Sequence, residues 1–395
     1  METPSTITKT QIAVMSIAAG ISVANIYYNQ PILGDIAKSL NVTTSRAGIM
    51  SVLAQAGYGL GLFFLTPLGD KINRKKLILA LMAALVAVLI GITFVQNFFW
   101  LCIFSLLTGL LSVAAQVILP MAASMDSKNR GRNVGIIFTG ILVGILAARV
   151  VSGFIAEWLN WRYVYGISAG MVLISIVLIQ FALPNVTPGF SGSYANLLGS
   201  TLQQLKRFPL LRKTALLGGL AFGIFCCYWT TLTLQLNGEP FNYKSDTIGL
   251  FGILAIAGAM LAPVFGKLAD KGNPKRAQLF SMILVLVSII LVKFYPFSVI
   301  AFVISVLMLD VGVQATQVTN IATIYTLDET AHSRINTAYM TTYFIGGALG
   351  SFAGIQCWNA GGWQMVTWQM LLWCVLALAV VVVGYSKRNI TQKAD

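Results

Sequence analysis

The sequence predicts an all-α membrane protein with twelve transmembrane helices in two pseudo-symmetric six-helix halves. Three observations carry this. Hydrophobic residues make up 57% of the chain and charged residues 10%, where a soluble domain holds roughly 25% charged residues; the mean hydropathy is +0.80. Charge-poor apolar runs of about 20 residues, long enough to cross a bilayer as helices, begin near Gln11, Arg46, Leu77, Phe98, Asn133, Arg162, Arg212, Thr247, Ala277, Ser298, Ile335 and Gln364. The segment LGDKINRKK at 68–76 returns as LADKGNPKR at 268–276, half a chain later, as in an internal repeat of helical halves. Only helices and closed barrels span lipid, and runs this apolar exclude the alternation of barrel strands.

The boundaries come from the runs. Residues 1–183 form the N-terminal half, 184–210 a linker, and 211–395 the C-terminal half with a short tail. The linker opens with turn residues and continues as a helical stretch in which Leu198, Leu202 and Leu205 share a face before Lys206 and Arg207. It reads either as an interfacial amphipathic helix or as a linker that is merely helical. Trp158, Trp161, Trp358 and Trp363 flank two tight outer turns and are expected at the headgroup level. No cleavable signal is expected, because the first run is too long and lacks a small-residue cleavage site.

The net charge of +14 is topological. With both termini cytoplasmic, the inner loops collect Lys71 to Lys76, Lys128 to Arg132, Lys206 to Lys213 and Lys267 to Arg276, while the outer segments hold only Lys38, Arg46, Arg162 and Lys244. That bias sets the orientation by the positive-inside rule and argues against a nucleic-acid partner. Cys102, Cys226, Cys227, Cys357 and Cys374 fall in helical runs without metal-like spacing, so they are expected as reduced thiols. No metal site and no cofactor are expected. Neither a P-loop nor a Ser/His/Asp set is present, so ATP does not drive the protein directly and no enzymatic chemistry is expected.

The repeated loops resemble the signature between helices 2 and 3 of the major facilitator superfamily. The second copy keeps Gly266, Leu268, Asp270 and Lys271; the first keeps Leu68, Asp70, Lys71, Arg74 and Lys75, with Thr66 in place of its first glycine. Asn73 and Asn273 stand where a later glycine belongs, and asparagine is the next-best residue for a left-handed turn. Helix 5 resembles the superfamily's antiporter motif at Gly135, Gly144, Ala148, Arg149, Ser152 and Gly153, with Arg149 replacing the proline. Its small residues would let helix 5 approach a neighbour closely. The arginine usual in helix 4 of proton antiporters is absent, its position being Ser105. ANIYYNQPIL, GILAARVVSG and NWRYVY are similar to the twelve-span drug and metabolite efflux branch, which includes purine-nucleoside and sugar exporters.

The resemblance implies that Asp70 and Asp270 latch a cytoplasmic gate, with Lys71, Arg74, Lys75 and Lys271 beside them. Each aspartate would sit at the N-terminal end of a helix of the opposite half, near Asn336 and Asn133 respectively, where a carboxylate is stabilised. The other reading is a solvated carboxylate that sets topology.

Two ionisable residues lie deep in spans, Arg149 in helix 5 and Asp310 in helix 10. Each costs about 2.5–3.5 kcal/mol at mid-membrane on insertion scales, so each should face protein or water and find a partner. Asp310 is either the coupling protonation site, with Arg149 as partner, or an acceptor for neighbouring Thr, Tyr or Asn groups. Arg149 either snorkels outward or pairs with substrate or acid. The resemblance names helices 1, 4, 7 and 10 as cavity-lining, and these carry the polar residues: Asn25, Tyr28, Asn29 and Gln30; Gln116; Tyr228, Trp229 and Thr231; Gln314, Gln317 and Asn320. Buried amides and hydroxyls need partners, so structural and cavity roles both stand for each.

Together these features predict a monomeric secondary transporter embedded in the bilayer, exchanging protons for a small organic substrate. Neutral or weakly cationic, partly aromatic molecules fit this inventory; organophosphates would want more cations. The alternatives are a facilitator or proton symporter for uptake and, from another class, a non-transporting receptor, which would predict a large soluble extension. The short loops suggest a bacterial inner membrane.

Overall fold

The structure is a computed structural model that describes residues 7–126, 129–186, 192–254, 274–328 and 331–384. Among the described residues it is helical without strands. The helices are α1 (Lys9–Ala24), α2 (Leu33–Ser39), α3 (Thr44–Ala47), α4 (Ile49–Phe64), α5 (Arg74–Phe94), α6 (Phe98–Leu111), α7 (Ala114–Met125), α8 (Arg130–Trp158), α9 (Trp161–Ala182), α10 (Tyr194–Arg207) and α11 (Pro209–Asn237). They continue with α12 (Ser245–Leu254), α13 (Pro274–Phe294), α14 (Val299–Ile324) and α15 (His332–Gly384).

Nine helical stretches among the described residues are long and apolar enough to cross a membrane. The longest, α15, breaks at Gly361 and Gly362, where Gly362 takes φ 58 and ψ −152. That left-handed position suits glycine and separates two spans at the expected tight turn. Span 4 is α6 followed by α7, interrupted at Ser112, whose hydroxyl donates to the Thr108 carbonyl at 2.6 Å. Span 1 is α1 extended by the turns of Asn25–Ile32, with i→i+3 bonds such as Tyr27 N to Ala24 O at 2.9 Å. Such tightened winding is common at helix ends, and Pro31 removes a backbone donor there.

The described structure falls into two compact units. One comprises Met1–Gly199 with Leu236–Ile253, the other Ser200–Gln235 with Leu254–Asp395. Within the first, α1 crosses α8 where Gly20 meets the backbone of Gly140 and Gly144. Also in this unit, α4 crosses α6 where Gly57 faces the Leu106 carbonyl and Gly109 the Ala54 carbonyl. Within the second unit, α11 crosses α15 where Gly219 meets Gly346 and Gly223 meets Gly350. α1 on α8 and α11 on α15 thus use the same device, glycine backbone against glycine backbone. Packing by small residues suits lipid, where helix association gains little from the hydrophobic effect.

Several helix ends are closed by side chains. Asn73 caps α5, its Oδ1 accepting from Lys76 N at 3.1 Å, with φ −55 and ψ 117. The left-handed turn expected at Asn73 is therefore corrected: the residue is a helix N-cap, and a negative φ serves that role. The last carbonyls of α9 are taken by side chains from two other helices: Lys75 Nζ donates to Gln180 O at 2.7 Å and Gln11 Nε2 to Ala182 O at 3.0 Å, satisfying orphan acceptors of a helix C-terminus. Two of the four outer tryptophans are buried inside the protein. Trp161 lies against Tyr165, and Trp363 donates to Val292 O at 3.0 Å. In α10 the buried face is Leu197, Thr201 and Gln204; of the leucine stripe, Leu202 is exposed while Leu198 and Leu205 are half-buried.

Gly109→Ala should lower the apparent melting temperature of detergent-solubilised protein, corresponding to about 1–3 kcal/mol of overpacking, because a Cβ there meets the Ala54 carbonyl. Gly170→Ala, with nothing within 4 Å, should leave it unchanged or raise it.

Candidate functional site

The polar interior of the first unit is built on α1 and its turn extension. Arg149 of α8 is 1% exposed. Its Nε donates to Gln30 Oε1 at 2.8 Å, and its guanidinium lies 5.2 Å from the Tyr27 ring centroid. The snorkelling reading is excluded, since the side chain turns into the protein. A cation over an aromatic face gains roughly 2 kcal/mol or more when desolvated, and a hydrogen bond to a charged group about 1.5–3 kcal/mol; together they offset part of the cost of burial. Gly249 and Gly252 of α12 lie against the Arg149 backbone and Cβ, so side chains larger than hydrogen would collide there.

The other predicted polar residues of α1 are tied into the same unit. Asn25 donates to Ile21 O at 2.8 Å and accepts from Ser168 Oγ at 2.8 Å. Asn29 accepts from Ser51 Oγ at 2.7 Å, and Tyr28 is buried close to Ser168. Gln116 of α7 donates to the Tyr58 hydroxyl at 3.1 Å. The helix 5 motif residues separate. Gly144 meets Gly20 and Gly153 meets the Ser245 backbone, while Ala148 and Ser152 are buried. A Cβ at Gly135 would meet nothing within 4 Å; Gly140 makes the close contact with α1 in its place, because it lies one turn nearer the crossing.

Around the first repeated loop, Arg74 gathers four acceptors. Its Nη2 reaches Asp70 Oδ1 at 3.1 Å, its Nε donates to Gly69 O at 2.9 Å, and its Nη1 donates to Pro120 O at 2.9 Å and Ser124 Oγ at 3.0 Å. The guanidinium fork suits this several-point clamp better than an ammonium. Lys71 is exposed. Asn133, expected at a helix start awaiting a carboxylate, donates to Asp126 Oδ2 at 3.3 Å, and Asn129 N donates to Asp126 Oδ1 at 3.1 Å. Asp126 is therefore a carboxylate at the start of α8 supplied by the preceding span, favourable to the helix dipole. Asp270, Lys271 and Asn273 lie outside the described residues.

In the second unit Asp310 is 2% exposed near the middle of α14. The Tyr228 hydroxyl of α11 is close enough to Asp310 and Ser305 for both to act on it electrostatically. Asn320 is fully engaged, accepting from Gln278 Nε2 at 2.7 Å and donating to Tyr339 Oη at 3.2 Å and Thr214 O at 3.4 Å. Thr231 donates to Cys227 O at 2.8 Å, and Trp229 is buried beside Phe225. Gln314 and Gln317 are half-buried on the stripe that contains Asp310, Gln317 making a long contact of 4.0 Å to Met340 Sδ.

Sequence reasoning passed over Gln55, which lies with Ser51 and Tyr58 at i, i+4 and i+7 of α4 and is 1% exposed. The signal was a glutamine in an otherwise apolar run, on a helix outside the four that the resemblance names. Asp126 was missed as well, because its loop reads only as a polar connection. Among the described residues no group of three or more His, Cys, Asp or Glu side chains is arranged to hold a metal.

Long apolar spans with buried charges among the described residues mark a polytopic membrane protein. The Major Facilitator Superfamily model matches residues 15–355, and the chain belongs to that family; it is a membrane transporter and not an enzyme. It is 38% identical over 356 residues to the uncharacterized transporter YgaY of Escherichia coli O157:H7, covering 90% of each chain. A protein of Helicobacter acinonychis named "Probable sugar efflux transporter" is 27% identical over 282 residues, covering 70% of each chain. Among solved structures the fold resembles that of the nucleoside transporter NupG, with TM-score 0.74, 12% identity and coverage of 95% of this chain and 100% of that one. A bacterial homolog to the human lysosomal transporter Spinster gives TM-score 0.71 at 12% identity, covering 94% of each. At that identity the likeness is one of fold.

Gln30→Leu, which removes the acceptor of Arg149 Nε, should destabilise the solubilised protein by about 1.5–3 kcal/mol, read as a lower apparent melting temperature. Gln30→Glu, which keeps an acceptor, should lose less; equal losses would contradict a direct hydrogen-bond role.

Proposed function

We propose that this transporter is a proton-coupled antiporter that exports a small organic molecule by alternating access between its two six-helix halves, residues 1–183 and 211–395, joined by the linker 184–210. The observation that carries it is Asp310, a carboxylate 2% exposed in the middle of an apolar span. A buried ionisable group at that depth is expensive and marks an ion or proton path by default. Arg149 is the second coupling group. The relatives named for sugar efflux and the resemblance to exporters support the outward direction. The protein works as a monomer in the bacterial inner membrane with both termini cytoplasmic, as the basic loops favour. Asp70 and Asp270 latch the cytoplasmic gate, and Arg74 sets the pose of Asp70 from 3.1 Å. The substrate binds among the amides, hydroxyls and aromatic rings of helices 1, 4, 7 and 10.

The test uses everted membrane vesicles with a pH-sensitive dye inside and an imposed pH gradient. Nucleosides, sugars and amphipathic cations are added to wild type and to Asp310→Asn. Substrate-induced proton release in wild type, lost in Asp310→Asn, is the expected outcome. Release that persists in the variant moves the coupling group elsewhere, and substrate flux without proton movement makes the protein a uniporter.

A further inference from the structure

One amide in the first unit stands apart from the other buried polar side chains along α1 and α4. Gln55 is buried, and neither its Oε1 nor its Nε2 has a hydrogen-bond partner among the described residues. Burying an unpaired amide is costly, and the great majority of buried polar groups in native proteins are paired. Packing alone gives no reason for a glutamine here, since the flanking sequence is apolar and methionine or leucine would fill the same volume.

Its neighbours along the helix give the reason. Ser51, Gln55 and Tyr58 lie on one face of α4, at i, i+4 and i+7. Ser51 is paired with Asn29 at 2.7 Å, and Tyr58 with Gln116 at 3.1 Å. Seven residues of helix separate the two pairs by roughly 10 Å. Gln55 thus sits between two closed hydrogen bonds, as the open position of a polar seam shared by the α1 extension, α4 and α7. An amide offers two donors and one acceptor oxygen, so it is satisfied by a group that both accepts and donates. Asn29, Ser51, Tyr58 and Gln116 are all uncharged. Arg149, which bonds Gln30 of span 1, has its Nε already engaged.

We propose that Gln55 is a substrate-binding residue that recognises a neutral, hydroxyl-rich solute, a sugar or the ribose of a nucleoside, through paired donor and acceptor bonds. This assignment rests on the transport reading and deepens it, favouring polyhydroxylated solutes over amphipathic cations. A site built to hydrogen-bond a hydroxyl discriminates strongly against analogues that lack it, because its own polar groups are then left unpaired.

The experiment measures thermal unfolding of the full-length protein in detergent, alone and with arabinose, adenosine or tetraphenylphosphonium at millimolar concentration. It compares wild type with Gln55→Met and Gln55→Asn. Without solute, Gln55→Met should melt at the wild-type temperature or above, because it removes an amide that has no partner. Arabinose or adenosine should raise the wild-type melting temperature, and Gln55→Met should weaken that response by about tenfold or more in apparent affinity. Gln55→Asn, which keeps the amide one methylene short, should fall between. The proposal is overturned if neither hydroxylated probe stabilises wild type, if Gln55→Met responds as wild type does, or if Gln55→Met melts well below wild type without solute. The last outcome would mark a structural amide. Vesicle flux separates the two claims: cation transport without sugar binding removes the Gln55 assignment alone, and sugar binding without flux of any probe removes the transport reading alone.

Discussion

The structure depends on one constraint: inside lipid, each polar group must find its partner within the protein. Helices answer this for the backbone, and everything else has to be answered by side chains. Ser22, Ser105, Ser112, Thr316, Thr319 and Thr323 return their hydroxyls to carbonyls of their own helix. The amides of Asn25, Asn29, Gln116 and Asn320 reach across to neighbouring helices. Such reach requires helices to lie close, and glycine-on-glycine crossings at Gly20 and Gly144, and at Gly223 and Gly350, bring them there. Close packing and polar pairing are thus two faces of the same requirement.

The same constraint explains the ends. Where α9 stops, its carbonyls would be orphaned at the membrane boundary, and Lys75 and Gln11 take them. Where α8 begins, Asp126 accepts from the backbone N–H of Asn129. Arg74 binds the loop carbonyl of Gly69, Asp70 and the end of α7 together. The basic residues that set topology in the sequence therefore divide in the structure. Some, such as Lys71, are exposed, and others are structural ties. Charge at a membrane boundary does both jobs at once, since a long aliphatic stem lets a lysine reach a buried carbonyl from a polar end.

Span positions, the internal repeat and the superfamily were legible because they rest on composition, run length and a motif present twice. The partner of each polar residue was not. Asn25, Asn29 and Gln30 look equivalent along one helix, yet their partners are Ser168, Ser51 and Arg149, on three different helices. Sequence spacing gives the face of a helix but not what stands opposite it. Asn73 shows a local version of the problem: a motif comparison reads it as a stand-in for glycine, while the Lys76 amide three residues on makes it a cap. Gln55 was hidden for the opposite reason, because it lies outside the four helices that the resemblance names. Its meaning appears only when the neighbouring hydroxyls are seen to be occupied.

The ionisable and amide side chains deep in the spans have a transport role only if they border water rather than a sealed protein interior. The most direct measurement is thiol accessibility at Gln314→Cys and Gln317→Cys, on the Asp310 stripe, with the five native cysteines replaced by serine. A membrane-impermeant, water-soluble thiol reagent is applied to right-side-out and to everted vesicles. Modification from the aqueous phase is the predicted result, at a rate that changes when a transported solute is added. Absence of modification from both sides at both positions would contradict it, and Asp310 would then be a buried structural acceptor.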